Sequence, residues 1–162
     1  MTCEFYDKTG CCKHGHNCSR PHPALELSNT LIFEGVCPAI RNVSNILQVN
    51  FWNNVYEDLF LRCDEFGFIQ DCALSINQNH LFGTFFVQFK NLNDAQKCHE
   101  TLKNQQYAGK TLKLRFGPMN TLRKGVCIKN LQKRCNDECN YIHQFDARDV
   151  AKELFAYNDR WR

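Results

Sequence analysis

Each end of this chain carries three cysteines and a histidine in a short span, and that pattern limits the fold more than any other feature. Cys3, Cys12, Cys18 and His22 read C-x8-C-x5-C-x3-H, and Cys127, Cys135, Cys139 and His143 read C-x7-C-x3-C-x3-H. Three thiolates and an imidazole form the tetrahedral set that zinc prefers. The three-residue gap before each histidine lets one tight turn bring the last two ligands onto one ion, while the longer gaps wrap around it. Residues 1–23 hold too few apolar side chains to fold by burial, so metal binding must supply their folding free energy, on the order of 10 kcal/mol. Two zinc ions per chain are expected. Cys11 leaves the first site open to a second register, C-x7-C-x6-C. His14, His16, His80 and His99 read as ordinary surface histidines. Four protein ligands leave zinc no position for a reacting water. No nucleophile motif, phosphate-binding glycine loop or paired acid and base points to an enzyme or a small-molecule substrate.

Eleven cysteines could also be a disulfide scaffold. The chain runs from Met1-Thr2-Cys3 straight into charged residues, without an apolar leader. No apolar run reaches the roughly 18 residues of a membrane span. The expectation is a reducing compartment, where clustered cysteines more often hold metal, and no membrane partner. Hydrophobic residues make up 43% of the chain and charged ones 23%, so a packed core is expected. The net charge of +3 decides little, but its distribution is uneven. Residues 30–118 balance eight basic against eight acidic side chains, whereas residues 119–162 hold nine basic and six acidic. Lys8, Lys13 and Arg20 outnumber Glu4 and Asp7 in residues 1–23. The positive excess therefore sits with the cysteines.

Between the two clusters, residues 30–118 read as one domain. Leu31 to Cys37 is an apolar run ended by Pro38, a strand signal. Asn50 is a candidate cap for a helix running to about Phe66, with Phe51, Val55, Leu59 and Cys63 on one row and Trp52, Tyr56 and Phe60 on the next. Phe68 to Ile76 reads as a strand, Asn77-Gln78-Asn79 as a turn, and Leu81 to Phe89 as a second strand. Asn91 or Asn93 opens another helix with Ala95, Cys98 and Leu102 inward, and Thr111 to Phe116 alternates as a strand does. Strand, helix, strand, strand, helix, strand is the order of an α+β ferredoxin-like sandwich. The second finger spans 125–145. In the final segment, 146–162, Val150, Leu154 and Tyr157 fall at helical spacing, for a helix packed on the second finger or the sheet.

Both clusters mix aromatic and basic residues with their ligands. The first holds Phe5, Tyr6, Lys8, Lys13, Ser19 and Arg20; the second holds Lys129, Lys133, Arg134, Asn140 and Tyr141. Unpaired bases need flat apolar surfaces and their phosphates need cations, a base stacked on an aromatic ring being worth about 1–3 kcal/mol. Single-stranded RNA is the partner this chemistry suits. Tyr6 reads as a cover for the metal site; Phe5 and Tyr141 fit either a cover or a base platform.

With these residues in view, the chain resembles the small subunit of the U2 snRNP auxiliary factor, a pre-mRNA splicing factor. The resemblance rests on the order finger, sheet domain, finger. It rests also on Cys3-Glu4-Phe5-Tyr6, Cys12-Lys13-His14-Gly15, Cys18-Ser19-Arg20-Pro21-His22 and Cys139-Asn140-Tyr141-Ile142-His143. It implies Cys12 rather than Cys11 as a ligand. It implies a nuclear protein that recognises the AG at the 3′ end of introns through both fingers, with Phe5, Lys13, Ser19, Arg20, Lys129 and Tyr141 as contacts. It implies an atypical RNA-recognition domain that holds a peptide of a large partner subunit, with Glu57, Asp58 and Tyr107 at the groove. Three places depart from the family pattern. Strand alternation puts Thr84 and Phe86 on the face that usually offers two aromatics, so one is missing, and Phe82 stands where a basic residue usually opens the motif. The family's Arg-x-Phe loop reads Gln105-Gln106-Tyr107, and Arg62 replaces an acidic residue. Two other classes remain open: a different RNA-binding regulator, for example of messenger RNA stability, and a protein–protein adaptor with structural zinc.

Overall fold

The computed structural model describes residues 1–36, 44–131, 134–136 and 138–161. The expected strand end at Cys37-Pro38 and the Lys133 cation lie outside the described residues. The elements in chain order are α1 (Glu4–Thr9), β1 (Thr30–Glu34), α2 (Asn45–Asp64), β2 (Ile69–Leu74), β3 (Phe85–Phe89) and α3 (Leu92–Leu102). They continue with β4 (Gln106–Tyr107), β5 (Lys110–Thr111), β6 (Lys113–Phe116), α4 (Ile128–Leu131) and α5 (Arg148–Trp161).

Four antiparallel strands form one sheet in the order β2-β3-β1-β6. Leu31 pairs with Val87 on one side and Phe116 on the other, so β1 is central. Alternation sorts the side chains as period two requires. Leu31, Phe33, Phe85, Val87 and Phe89 pack against α2 and α3, with Val55, Leu59, Phe60, Ala95 and Cys98 facing them. This is the expected α+β ferredoxin-like sandwich.

Three boundaries shifted. The first long helix begins at Asn45, capped by Ser44, whose hydroxyl accepts the Leu47 N–H at 3.4 Å, and not at Asn50. Ile46, Leu47 and Val49 in the added turns are exposed, so the buried rows that mark the helix start only at Phe51. The strand expected from Leu81 starts at Phe85, because residues 79–84 turn twice, Phe82 N–H to Asn79 O and Thr84 N–H to Leu81 O. Thr111 belongs to the hairpin β4–β5, whose two turn residues, Ala108 (φ 49°) and Gly109 (φ 80°), both adopt positive φ. Positive φ at both central positions is the pattern of a type I′ turn.

The last helix corrects another expectation. α5 lies on α2, not on the second finger or the sheet. Phe155 meets Phe60 edge to face at 5.0 Å, and Leu154 is buried, but Tyr157 is exposed. No helix among the described residues is long and apolar enough to cross a membrane.

The second sheet face is also covered. Ile32, Ala73 and Phe86 are sealed by Leu81, Met119, Leu122 and Ile142. Those covers come from the β2–β3 loop and from the chain leading into and through the second cysteine cluster. Both cysteine–histidine segments are thus packed onto the sheet face away from the helices.

Candidate metal centres and nucleic-acid interface

Cys3, Cys12, Cys18 and His22 converge, their ligand atoms all within 4.8 Å of one another. Cys3 occupies the N-cap position of α1, with no side-chain cap hydrogen bond but close enough to Tyr6 for its backbone to act on the thiol. Burial pushes the Cys3 thiol up, but the Tyr6 N–H and the neighbouring ligand groups outweigh it and hold it down at about 7. Gly10 ends α1 in the left-handed region, at φ 69°. A short turn follows, Gly15 N–H to Cys12 O at 3.0 Å, and brings Cys18 back. The Tyr6 ring stacks on His22 with centroids 4.7 Å apart and 7° between planes, while its hydroxyl donates to Pro23 O at 2.7 Å. Tyr6 is a cover, as expected. Cys11 faces the other way. Its sulfur lies 3.2 Å from Arg115 Nη2 and burial raises its thiol to about 11, so geometry leaves Cys12 with the cluster.

Cys127, Cys135, Cys139 and His143 converge in the same manner, with Cys127 and Cys139 sulfurs 3.7 Å apart. Two backbone bonds, Cys127 N–H to Ile142 O and Ile142 N–H to Gly125 O, both 2.8 Å, close the segment on itself. The Tyr141 N–H donates to Cys139 Sγ at 3.4 Å. Backbone N–H groups of Asn130 and Lys129 help lower the Cys127 thiol against its burial, while burial raises Cys139 to about 11.

The donor chemistry fits a zinc ion at each cluster. His22 Nε2 is buried and has no hydrogen-bond partner among the described residues. The groups gathered around it are soft sulfur donors, which select zinc among the common divalent ions. A cation there would give that nitrogen its missing partner and draw all three thiols to thiolates.

Sequence reading missed what fastens the second cluster to the domain. Asn77, read as a turn residue, is 1% exposed. Its side-chain oxygen accepts the His143 N–H at 2.7 Å and the Ser75 hydroxyl at 2.6 Å, and its nitrogen donates to Tyr141 O at 2.9 Å. Asn79 Nδ2 adds a bond to Cys139 O at 2.7 Å. The β2–β3 loop thereby holds two consecutive stretches around Cys139 and His143.

The two clusters meet. Phe5 packs edge to face on Tyr141, with centroids 5.6 Å apart, and Lys8 Nζ lies 5.7 Å from the Tyr141 ring centre. α1 sits against the 3₁₀ turn Leu122–Gly125, where a Cβ on Gly125 would run into the Lys8 carbonyl. Between the clusters is a groove of about 480 Å³, lined by Phe5, Lys8, Lys124, Lys129, Asn140 and Tyr141 among others. Asn140 Oδ1 is buried there without a hydrogen-bond partner among the described residues. Of the six residues expected to touch RNA, Phe5, Lys129 and Tyr141 line this groove. Ser19 and Arg20 do not line it; both are exposed, with the charge of Arg20 felt at Glu4 of α1. Lys13 is exposed on the next turn, and its charge helps burial lower the His80 pKa.

The expected peptide groove is partly filled. Glu57 and Asp58 are exposed on α2. Tyr107 is buried; its hydroxyl donates to Asp58 Oδ2 at 3.3 Å and its ring lies under the Arg62 guanidinium at 5.1 Å. Thr84 and Phe86 are buried, so neither offers a surface to a base. Phe82 meets Trp52 edge to face at 5.5 Å instead of serving as a surface residue.

The RNA recognition motif family matches residues 54–113. Among curated relatives, the fruit fly Drosophila melanogaster splicing factor U2af 38 kDa subunit is 27% identical, over 97% of this chain and 65% of its own length. A splicing factor U2af small subunit of Arabidopsis thaliana is 29% identical, over 96% of this chain and 60% of its own length. The Bos taurus splicing factor U2AF 26 kDa subunit is 26% identical, over all of this chain and 81% of its own length. The chain thus spans under two thirds of the first two. In sequence along nearly its whole length, in its ferredoxin-like sheet domain and in a cysteine–histidine cluster on each flank, the chain resembles the small subunits of the splicing factor U2AF.

Proposed function

We propose that this protein is an RNA-binding splicing-factor subunit of the nucleus, which grips the AG at a 3′ splice site in the groove between two zinc fingers. The division into a first finger at 1–23, a sheet domain at 30–118, a second finger at 125–145 and a C-terminal helix belongs to this reading. The observation that carries it is the Phe5–Tyr141 contact, one aromatic from each cluster, in a groove rimmed by Lys8, Lys124 and Lys129. An unpaired base stacked there would gain about 1–3 kcal/mol. The lysines meet the phosphates, and the Asn140 oxygen accepts from a base edge. Lys13, Ser19 and Arg20 extend the contact along the first finger. Zinc in each Cys3His set supplies folding energy and no chemistry, because a closed tetrahedral set has no open position.

The sheet domain serves as the frame that holds the fingers side by side and as the seat for a peptide of a large partner subunit. Glu57 and Asp58 favour a basic peptide, and Tyr107 offers a ring once Arg62 has moved aside.

The test is binding of a short RNA containing UAG, compared with the same RNA with its AG replaced. Preference for UAG, weakened about tenfold by Arg20→Ala with two zinc ions retained, supports the reading; a charge-assisted contact of roughly 1.5 kcal/mol gives that factor. Equal affinity for both RNAs would remove AG recognition. Unchanged affinity in Arg20→Ala would remove Arg20 from the site.

A further inference from the structure

The fingers and the 119–122 segment cover the middle of the second sheet face but leave its far end open. There two adjoining cavities, of about 400 and 320 Å³, share Gln70 and Gln88 and form one trough. Its walls are rich in amides: Gln70, Gln88, Asn120 and Gln144, with one carboxylate, Asp71, and one cation, Arg123. Gln88 is fixed from β3, its nitrogen donating to Asn120 O at 2.5 Å. Asp71 stands opposite it in the β2–β3 register, half-buried, with Oδ1 held by the Cys72 N–H at 2.9 Å.

We infer that this trough is a second base-binding site, taking a guanine from the same single strand that the fingers hold. The inference rests on the proposed RNA-binding function. Amides offer donors and acceptors without net charge, which suits the edge of a base better than a phosphate or an apolar peptide. A fixed carboxylate offers two acceptors side by side. Guanine is the base whose Watson–Crick edge presents two adjacent N–H donors, N1–H and the N2 amino group, and so can pair with it twice. The Arg123 charge, which acts on Asp71, offsets the carboxylate's repulsion of the backbone.

The path is continuous. Val126 lines both this trough and the groove between the fingers. Arg123 lines the trough and Lys124 the groove; both are exposed, a rail for the phosphates of a strand crossing from one to the other.

The test uses the full chain with zinc bound, and RNAs made of UAG alone or UAG extended on either side by about three nucleotides. Each added position carries G, A, C or U in turn. A guanine at one added position is expected to tighten binding about tenfold over the other bases, the scale of one bidentate base contact. Asp71→Asn keeps the shape and an acceptor for the Cys72 N–H but offers only one acceptor to a base. It should abolish that gain while leaving UAG affinity and zinc content unchanged. No guanine-dependent gain at any position, or a gain that survives Asp71→Asn, overturns the second site. UAG bound without the gain leaves the finger site standing and sinks only this inference, whereas UAG unbound sinks both.

Discussion

Asn77 is a single amide that ties the second cluster to the sheet. Its partners are the His143 N–H, the Ser75 hydroxyl and the Tyr141 carbonyl. Asn77→Ala leaves three buried polar groups unmet, and each such loss costs about 1–3 kcal/mol. The variant is expected to unfold at lower temperature and to give up one of two zinc ions to a chelator faster than the other. Loss of both ions at one rate, equal to that of the unaltered protein, would show that the amide does not hold the finger. The grouping of each cysteine–histidine set was legible in sequence, because such a spacing is local chemistry. Asn77 was not, because a turn asparagine looks alike whatever it binds, and its partners in the second cluster, Tyr141 and His143, lie more than 60 residues away in the chain. Spacing alone left Cys11 and Cys12 open, because the group that holds Cys11, Arg115, lies 104 residues from it in the chain.

Among the elements, the strands and both long helices of the sandwich were readable because burial on one face imposes period two or 3.6. The misplaced start of α2 shows the limit of that signal, since exposed turns such as Ile46–Val49 carry no period. The site of α5 shows another, for an amphipathic helix announces a buried face without naming its neighbour. That neighbour is α2, through Phe155 on Phe60 and through the buried Leu154. Phe155→Ala removes a partly buried ring. Its cost should fall below the 3–5 kcal/mol of a fully buried phenylalanine, at about 1–3 kcal/mol. The expected result is a lower melting temperature with zinc content and RNA affinity unchanged, because α5 meets the helical side of the sandwich and the fingers cover the other. A loss of RNA affinity measured well below the melting temperature would mean that α5 also supports the fingers.

In the whole molecule, the two clusters do more than flank the sheet. Ile142 of the second finger, with Leu122 and Met119 leading into it, roofs Ile32 and Phe86. Gly10 at the end of the first finger's helix packs so closely on Ile32 that a Cβ there would collide with it. Alternation alone predicted which side chains face that way, Thr84 and Phe86 away from the helices. It could not predict that the two cysteine–histidine segments would cover them, because that depends on where those segments dock. The consequence is a coupling between metal and sheet. Removing zinc should release both fingers, abolish RNA binding and uncover an apolar patch on the sheet, while the core between sheet, α2 and α3 persists. Chelation should therefore raise the fluorescence of a dye that binds exposed apolar surface, and most helical circular dichroism should remain. Re-adding zinc should reverse both changes. If chelation abolishes RNA binding with no rise in dye fluorescence, the roof stays closed without metal, and apolar contact, not zinc, keeps the fingers docked on the sheet.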